Sequence, residues 1–277
     1  NSNLGVVIGE SSWLIASHVD YSIIKEKFNI NIIKIGKEEL FKEISKNKIG
    51  KPPHYSILSK KCHDKKELSK ALSIYGALRR LVDKYKLSGL TIKCFDLLDE
   101  YKATACLALS LLNDEGIIAS CEGDVPTMLT MHFLNALTER PSFMANPSYI
   151  DHEKNTILLA HCSCPLTMLN NYSFNTHFES GLGIATQGTF NHSDVSILKI
   201  APYLKHVMAF NGTIKKDVNL KEYCRTQALV ELEPQELNLL TLHPFGNHLV
   251  MTYGDVCERF IALFNLYKFI NKENEVD

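Results

Sequence analysis

From Leu4 to about Glu139, short apolar runs alternate with stretches of helical period. "LGVVIG" (Leu4–Gly9), "INIIKIG" (Ile30–Gly36), "LTIKCF" (Leu90–Phe95) and "GIIASC" (Gly116–Cys121) are short and apolar, and read as buried strands. Between them lie helical patterns: Tyr21–Phe28, "KEELFKEISK" from Lys37, a helix from about Tyr101 and another after Glu122. The longest has Asp64 as its predicted N-cap and Leu68, Leu72, Tyr75, Leu78 and Val82 on one face. Strands separated by helices predict parallel βαβ units with right-handed crossovers.

Beyond Pro141 the period changes. "SFMANPSYI", "NTILLAHC", "GLGIATQG", "VSILKIAPY", "KHVMAFNGTI", "CRTQALVELE" and "HLVMTYG" are strand candidates at short intervals, with Asn211-Gly212 read as a turn signal. That spacing predicts an antiparallel barrel or sandwich. A last helix carries Val256, Phe260, Leu263, Phe264, Tyr267 and Ile270 on one stripe. The change places a domain boundary near residue 140, with an α/β domain over 1–140 and a β domain over 141–277.

Composition narrows the function classes. With 45% hydrophobic and 22% charged residues and a net charge of −1, the chain has the balance of a globular domain. Nothing in that charge suggests a nucleic-acid or acidic-membrane partner, and no apolar run has the length of a membrane span. Eight cysteines are scattered without a framework. Cys94, Cys106 and Cys121 fall inside apolar patterns, where a free thiol packs as a small hydrophobe, so a reducing, cytoplasmic setting is expected. "HCSC" (His161–Cys164) resembles half of a zinc knuckle, but no second half follows.

The chemistry concentrates at "CEGDVP" (Cys121–Pro126). Ligands of open α/β sheets gather outside the carboxyl ends of the strands, where Glu122 would stand. Gly123 lets the chain turn, Asp124 caps the next helix, and Pro126 suits its first turn. Capping accounts for Asp124 but not for Glu122, which is a candidate metal ligand or general base. His132, on the apolar face of the helix, reads as a core histidine.

Taken in order, "GESSWLIAS", "CEGDVPTMLTM", "SFMANPS", "ILLAHCSCPLTM", "THFESGLGIATQG", "CRTQ" and "GNHLVMTYGD" resemble the L-fucose and L-arabinose isomerase superfamily, in particular its shorter fucose isomerase-like members. The resemblance implies a Rossmann-like parallel α/β domain followed by a C-terminal antiparallel β-barrel domain. Family members carry a further α/β domain ahead of these, which is expected to be missing from this chain. It also implies a homo-oligomer, a trimer or hexamer, that interconverts an aldose and a ketose sugar through an enediol, usually with Mn²⁺ or another divalent cation. The family's first metal-binding glutamate matches Glu122, and a histidine near the chain end matches His248 in "GNHLV". Its second metal-binding carboxylate falls at "FMAN", where Ala145 and Asn146 stand. Asn146 can offer a carbonyl oxygen to a metal but cannot take a proton as a carboxylate does. Asp151 either replaces that carboxylate after a shift or belongs to the "DHEKN" turn. His177 resembles a further site histidine of the arabinose-isomerase branch. Glu179 is either a site carboxylate or a solvated loop charge. Arg225 either binds a hydroxyl or anionic group or lies on a strand surface. The implied activity has two rivals: a non-catalytic carbohydrate-binding or regulatory relative, and a lyase or epimerase using the same metal site.

Overall fold

The computed structural model describes residues 2–46, 48–53 and 55–272, with side chains as far as Tyr267; Ile270 of the predicted stripe thus lies outside the described side chains. The first half builds an α/β layer. Its strands are β1 (Ser2–Val7), β2 (Ile30–Ile35), β3 (Leu87–Ile92) and β4 (Ile118–Ser120). They form a parallel sheet in the order β2-β1-β3-β4. The helices are α1 (Tyr21–Phe28), α2 (Lys37–Ser45), α3 (Tyr55–Lys61), α4 (Lys65–Tyr85), α5 (Asp96–Tyr101), α6 (Cys106–Asp114) and α7 (Val125–Thr138). Asp64 caps α4 by accepting the Glu67 N–H at 3.0 Å, and Leu68, Leu72, Tyr75, Leu78 and Val82 are all buried.

The second half closes into a barrel. Strands β5 (Phe143–Asp151), β6 (Thr156–His161), β9 (Asp194–Ile200), β10 (Val207–Lys216), β11 (Thr226–Leu232) and β12 (Leu249–Tyr253) run β10-β11-β6-β5-β12-β9 around it. Every neighbouring pair is antiparallel. Strands β7 (Leu169–Asn175) and β8 (Ala185–Phe190) form a separate hairpin, α8 (Pro234–Leu242) follows β11, and α9 (Cys257–Lys272) ends the chain.

Period-two alternation divides the barrel strands between two cores. Phe143, Ala145, Ile197, Leu249 and Met251 pack in one cluster. Met144, Leu198, Ile200 and Val250, of the opposite parity in each strand, pack in another with Met128, Leu129 and Phe133 of α7 and with the sheet residues Leu90 and Ile118. The α/β layer and the barrel wall therefore share a continuous apolar core, and α7 lies at their junction.

Three sequence expectations are corrected. Asn211-Gly212 is not a turn but lies inside β10, where Gly212 pairs with both Leu232 and Val195. A Cβ there would come within 2.6 Å of Val230, so close packing rather than chain reversal requires the glycine. The helix expected from about Tyr101 begins only at Cys106, as α6; Tyr101 instead ends the short α5, with Lys102 left-handed after it. Strand β3 begins at Leu87, three residues ahead of the apolar run, where it pairs with Asn3 of β1, and Gly89 sits tight against Ile118 of β4. No helix among the described residues is long and apolar enough to cross a membrane.

Candidate active site

Strands β1, β3 and β4 end on the same side of the sheet, facing one end of the barrel. After β4 the chain reverses through Glu122 (φ 61°) and Gly123 (φ 66°), both left-handed. Gly123 is obligatory: a Cβ would lie 2.6 Å from the Ser11 nitrogen and 2.7 Å from the Gly9 oxygen. Glu122 has a Cβ and takes this conformation at a cost on the order of 1 kcal/mol.

Glu122 meets two imidazoles from the barrel. His161 ends β6, and His248 immediately precedes β12. Oε1 of Glu122 lies 3.6 Å from Nε2 of His161 and 3.4 Å from Nε2 of His248. One donor atom from each residue falls within 4.8 Å of the others. In both rings the other nitrogen is already engaged. His161 Nδ1 lies 2.8 Å from the Ser163 hydroxyl, and His248 Nδ1 lies 2.9 Å from Oδ2 of Asp124. Nε2 is therefore the nitrogen each ring turns towards Glu122. His248 Nε2 is fully buried and makes no hydrogen bond of good geometry. An orphaned buried nitrogen, a second imidazole and an ionised carboxylate make a donor set that fits a divalent first-row cation. The Asp124–His248 contact is the outer support that such ligands commonly have.

Asp124 has two roles. It caps α7 by accepting the Thr127 N–H at 2.8 Å, and it orients His248. Behind it stands Lys199 of β9, fully buried, with Nζ 2.6 Å from the Thr127 hydroxyl and 3.5 Å from Asp124. Burial alone would raise the Glu122 carboxyl, but the facing imidazoles of His161 and His248 outweigh it and hold the group well below the usual range. Asp124 is likewise held low, because Lys199 and His248 outweigh its burial. Burial opposes a charge on His248, yet Asp124 and Glu122 raise it to about 9.

These shifts set a pH window for the metal-free chain. His248 is raised above its ordinary 6.5, so its contribution is complete below that pH and is lost as pH rises through about 9. Glu122 and Asp124 are depressed, so theirs is complete above their ordinary 4.5 and 3.8 and is lost on acidification below those values. Urea unfolding in the presence of a chelator is expected to give a midpoint that falls as pH rises towards about 9 and falls again on acidification below about 4.5. A midpoint still rising above about pH 9 would contradict the His248 assignment.

A cavity of about 540 Å³ opens over Glu122. Trp13, Phe95, Phe178 and Tyr223 give it aromatic walls, and Asn146, Ser148 and Glu179 give it polar ones. Asn146 thus shares the cavity with Glu122, on a strand where it pairs with Ala160 beside His161. Burial and the Glu122 charge push the Glu179 carboxyl up. His177 is buried against Phe95, with Nδ1 3.0 Å from the Ser180 hydroxyl. Burial and the nearby His161 lower it to about 4, so it is neutral at physiological pH. Arg225 lies behind the cavity wall: Nε donates to the Thr176 carbonyl at 2.8 Å and the guanidinium lies over Phe178. Asp151 belongs to its turn, where it accepts the Glu153 and Lys154 N–H groups. His132 is half-buried on α7, and burial lowers its pKa.

His161 is the residue that sequence reasoning passed over. It lies in "HCSC", where the cysteines drew attention to a knuckle, yet neither Cys162 nor Cys164 joins the cluster. The usable signal was its place at the end of an apolar strand, the same signal that singled out Glu122.

The chain is similar to sulfoquinovose isomerases. It is 25% identical over 210 residues to that of Priestia aryabhattai, a match covering 72% of this chain and 46% of that protein. To that of Clostridium sp. (strain MSTE9) it is 25% identical over 211 residues, 70% of this chain and 46% of the relative. A shorter match to that of Alkalicoccus urumqiensis reaches 33% over 88 residues, 31% of this chain and 20% of the relative. The chain spans about half the length of the curated relatives it matches over most of its own length. No protein-family model matches the sequence.

Proposed function

We propose that this chain carries the metal-binding centre of an aldose–ketose sugar isomerase. The observation that carries the reading is the convergence of Glu122, His161 and His248 beneath a cavity with both aromatic and polar walls. Similarity to sulfoquinovose isomerases supports it, as does the motif resemblance to fucose and arabinose isomerases. Mn²⁺ is the cation proposed, held by the Nε2 atoms of His161 and His248 and by Glu122. Such a cation supplies Lewis acidity to adjacent sugar oxygens and so acidifies the carbon-bound proton between them.

The side chains supply the rest. The reaction takes a proton from one carbon and returns it to its neighbour through an enediol, so it needs no external oxidant or reductant. Glu122 is ionised throughout the neutral range, but its depressed pKa makes it an anionic ligand rather than an efficient base, and Asn146 cannot take a proton. Glu179, whose carboxyl is raised, is the other carboxylate lining the cavity and the group proposed to carry a proton between sites. The aromatic walls suit the C–H faces of a sugar, and Asn146 and Ser148 can hydrogen-bond its hydroxyls.

The test is a screen of sulfoquinovose, L-fucose and L-arabinose for exchange between aldose and ketose, with Mn²⁺ and with chelator, followed by proton NMR in D₂O. The expected result is Mn²⁺-dependent product with solvent deuterium on the receiving carbon. Because Asn146 stands where a second carboxylate is expected, a non-catalytic carbohydrate-binding protein is the rival reading. Sugar and Mn²⁺ binding without exchange would favour that rival and overturn the isomerase.

A further inference from the structure

The chain has a single tryptophan, and it stands in the wall of the candidate site. Trp13 lies in the loop between β1 and α1, which is joined to the Glu122–Gly123 turn at two points. The Ser11 N–H donates to the Gly123 carbonyl at 3.3 Å, and the Trp13 indole N–H donates to Oε2 of Glu122 at 3.3 Å. The Ser11 hydroxyl accepts the backbone N–H groups of Trp13 and Leu14, at 3.3 and 3.0 Å, which fixes where the indole begins. The ring rests edge-on against Phe95, with centroids 5.2 Å apart, and Lys93 Nζ lies 5.4 Å from its centroid. Trp13 is nonetheless 41% exposed, so core burial does not account for its placement.

These contacts divide the Glu122 carboxylate. Oε2 rests on the indole, while Oε1 faces His161 and His248. The last torsion of a glutamate is broad, so a partner on Oε2 narrows how Oε1 is presented. We propose that Trp13 is a positioning residue for Glu122. Its indole N–H holds one carboxylate oxygen so that the other is presented to the imidazoles, and it thereby sets the affinity of the site for a divalent cation. The inference rests on the metal-site reading above and concerns the orientation of a ligand, with no direct part in moving the sugar proton.

Trp13→Phe keeps an aromatic ring beside Phe95 and removes the indole N–H together with part of the ring's bulk. Mn²⁺ affinity, measured by calorimetry or by electron paramagnetic resonance of the free ion, is expected to weaken about tenfold, as for loss of a hydrogen bond to a charged group. The thermal midpoint of the metal-free variant is expected to stay close to native. Being unique, the tryptophan also reports directly. Emission of the metal-free chain is expected to change on Glu122→Gln, and Mn²⁺ is expected to quench native emission with the midpoint found by calorimetry. Equal Mn²⁺ affinity in native and Trp13→Phe chains would overturn the proposal and leave the metal site standing. Emission indifferent to Glu122→Gln would overturn it too. A native chain that takes up no Mn²⁺ has a different signature and sinks both readings.

Discussion

Replacing Glu122 by glutamine is expected to weaken Mn²⁺ binding by more than about a hundredfold, beyond the range typical for loss of an outer partner. Exchange between aldose and ketose should fall below detection. Glutamine keeps the volume and one carbonyl oxygen but loses the charge. That charge is the anionic member of the donor set and the partner of both Nε2 atoms. It also helps to raise His248 to about 9, so the variant's imidazole should titrate lower. The fold should survive, since a glutamine at φ 61° carries the same backbone strain as the glutamate. Calorimetric Mn²⁺ titration with circular dichroism on the same samples decides it. Affinity within about tenfold of native, with the fold intact, would remove Glu122 from the proposed ligand set.

Local sequence carried much of this architecture because the signals were strong and short-ranged. Asp64 and Asp124 cap α4 and α7 as expected, since an aspartate ahead of an apolar period has one good use for its oxygen. The barrel strands other than β10 were found whole by their apolar runs; in β10, Asn211-Gly212 mimicked a hairpin turn although its partners are Ser196 and Val195 of a neighbouring strand. Helix α8 and strand β7 went unread for the opposite reason. β7 alternates between exposed and half-buried positions and offers little apolar contrast, and only Leu237 and Leu240 of α8 are buried. Within the site, Glu122 was legible as a charge lacking a structural use. The second role of Asp124 was hidden because capping already explained it, and its contact with His248 joins residues remote in sequence. Trp13 gave no periodic signal at all; only the closed structure brings its N–H to Glu122.

Lys199→Met is expected to destabilise the chain by about 3–5 kcal/mol, the usual cost of removing one partner of a buried ion pair. Lys199 is 1% exposed, and its ammonium faces Asp124 and the Thr127 hydroxyl. Methionine fills much of the same space, so the loss should come from charge more than from packing. Asp124 would remain buried and ionised, with His248 as its remaining charged partner. The second variant, Lys199→Met with Asp124→Asn, separates these causes. Asparagine is as good an N-cap as aspartate and its carbonyl oxygen can still accept from His248 Nδ1, while the stranded charge is gone. The double variant is therefore expected to recover at least about half of the lost stability, giving a coupling energy well above the scatter of independent sites. Urea unfolding of the native, both single and double variants at one pH near neutrality closes the cycle. A Lys199→Met loss below about 1 kcal/mol, or a double variant no more stable than Lys199→Met alone, would show that the buried lysine does not act through Asp124.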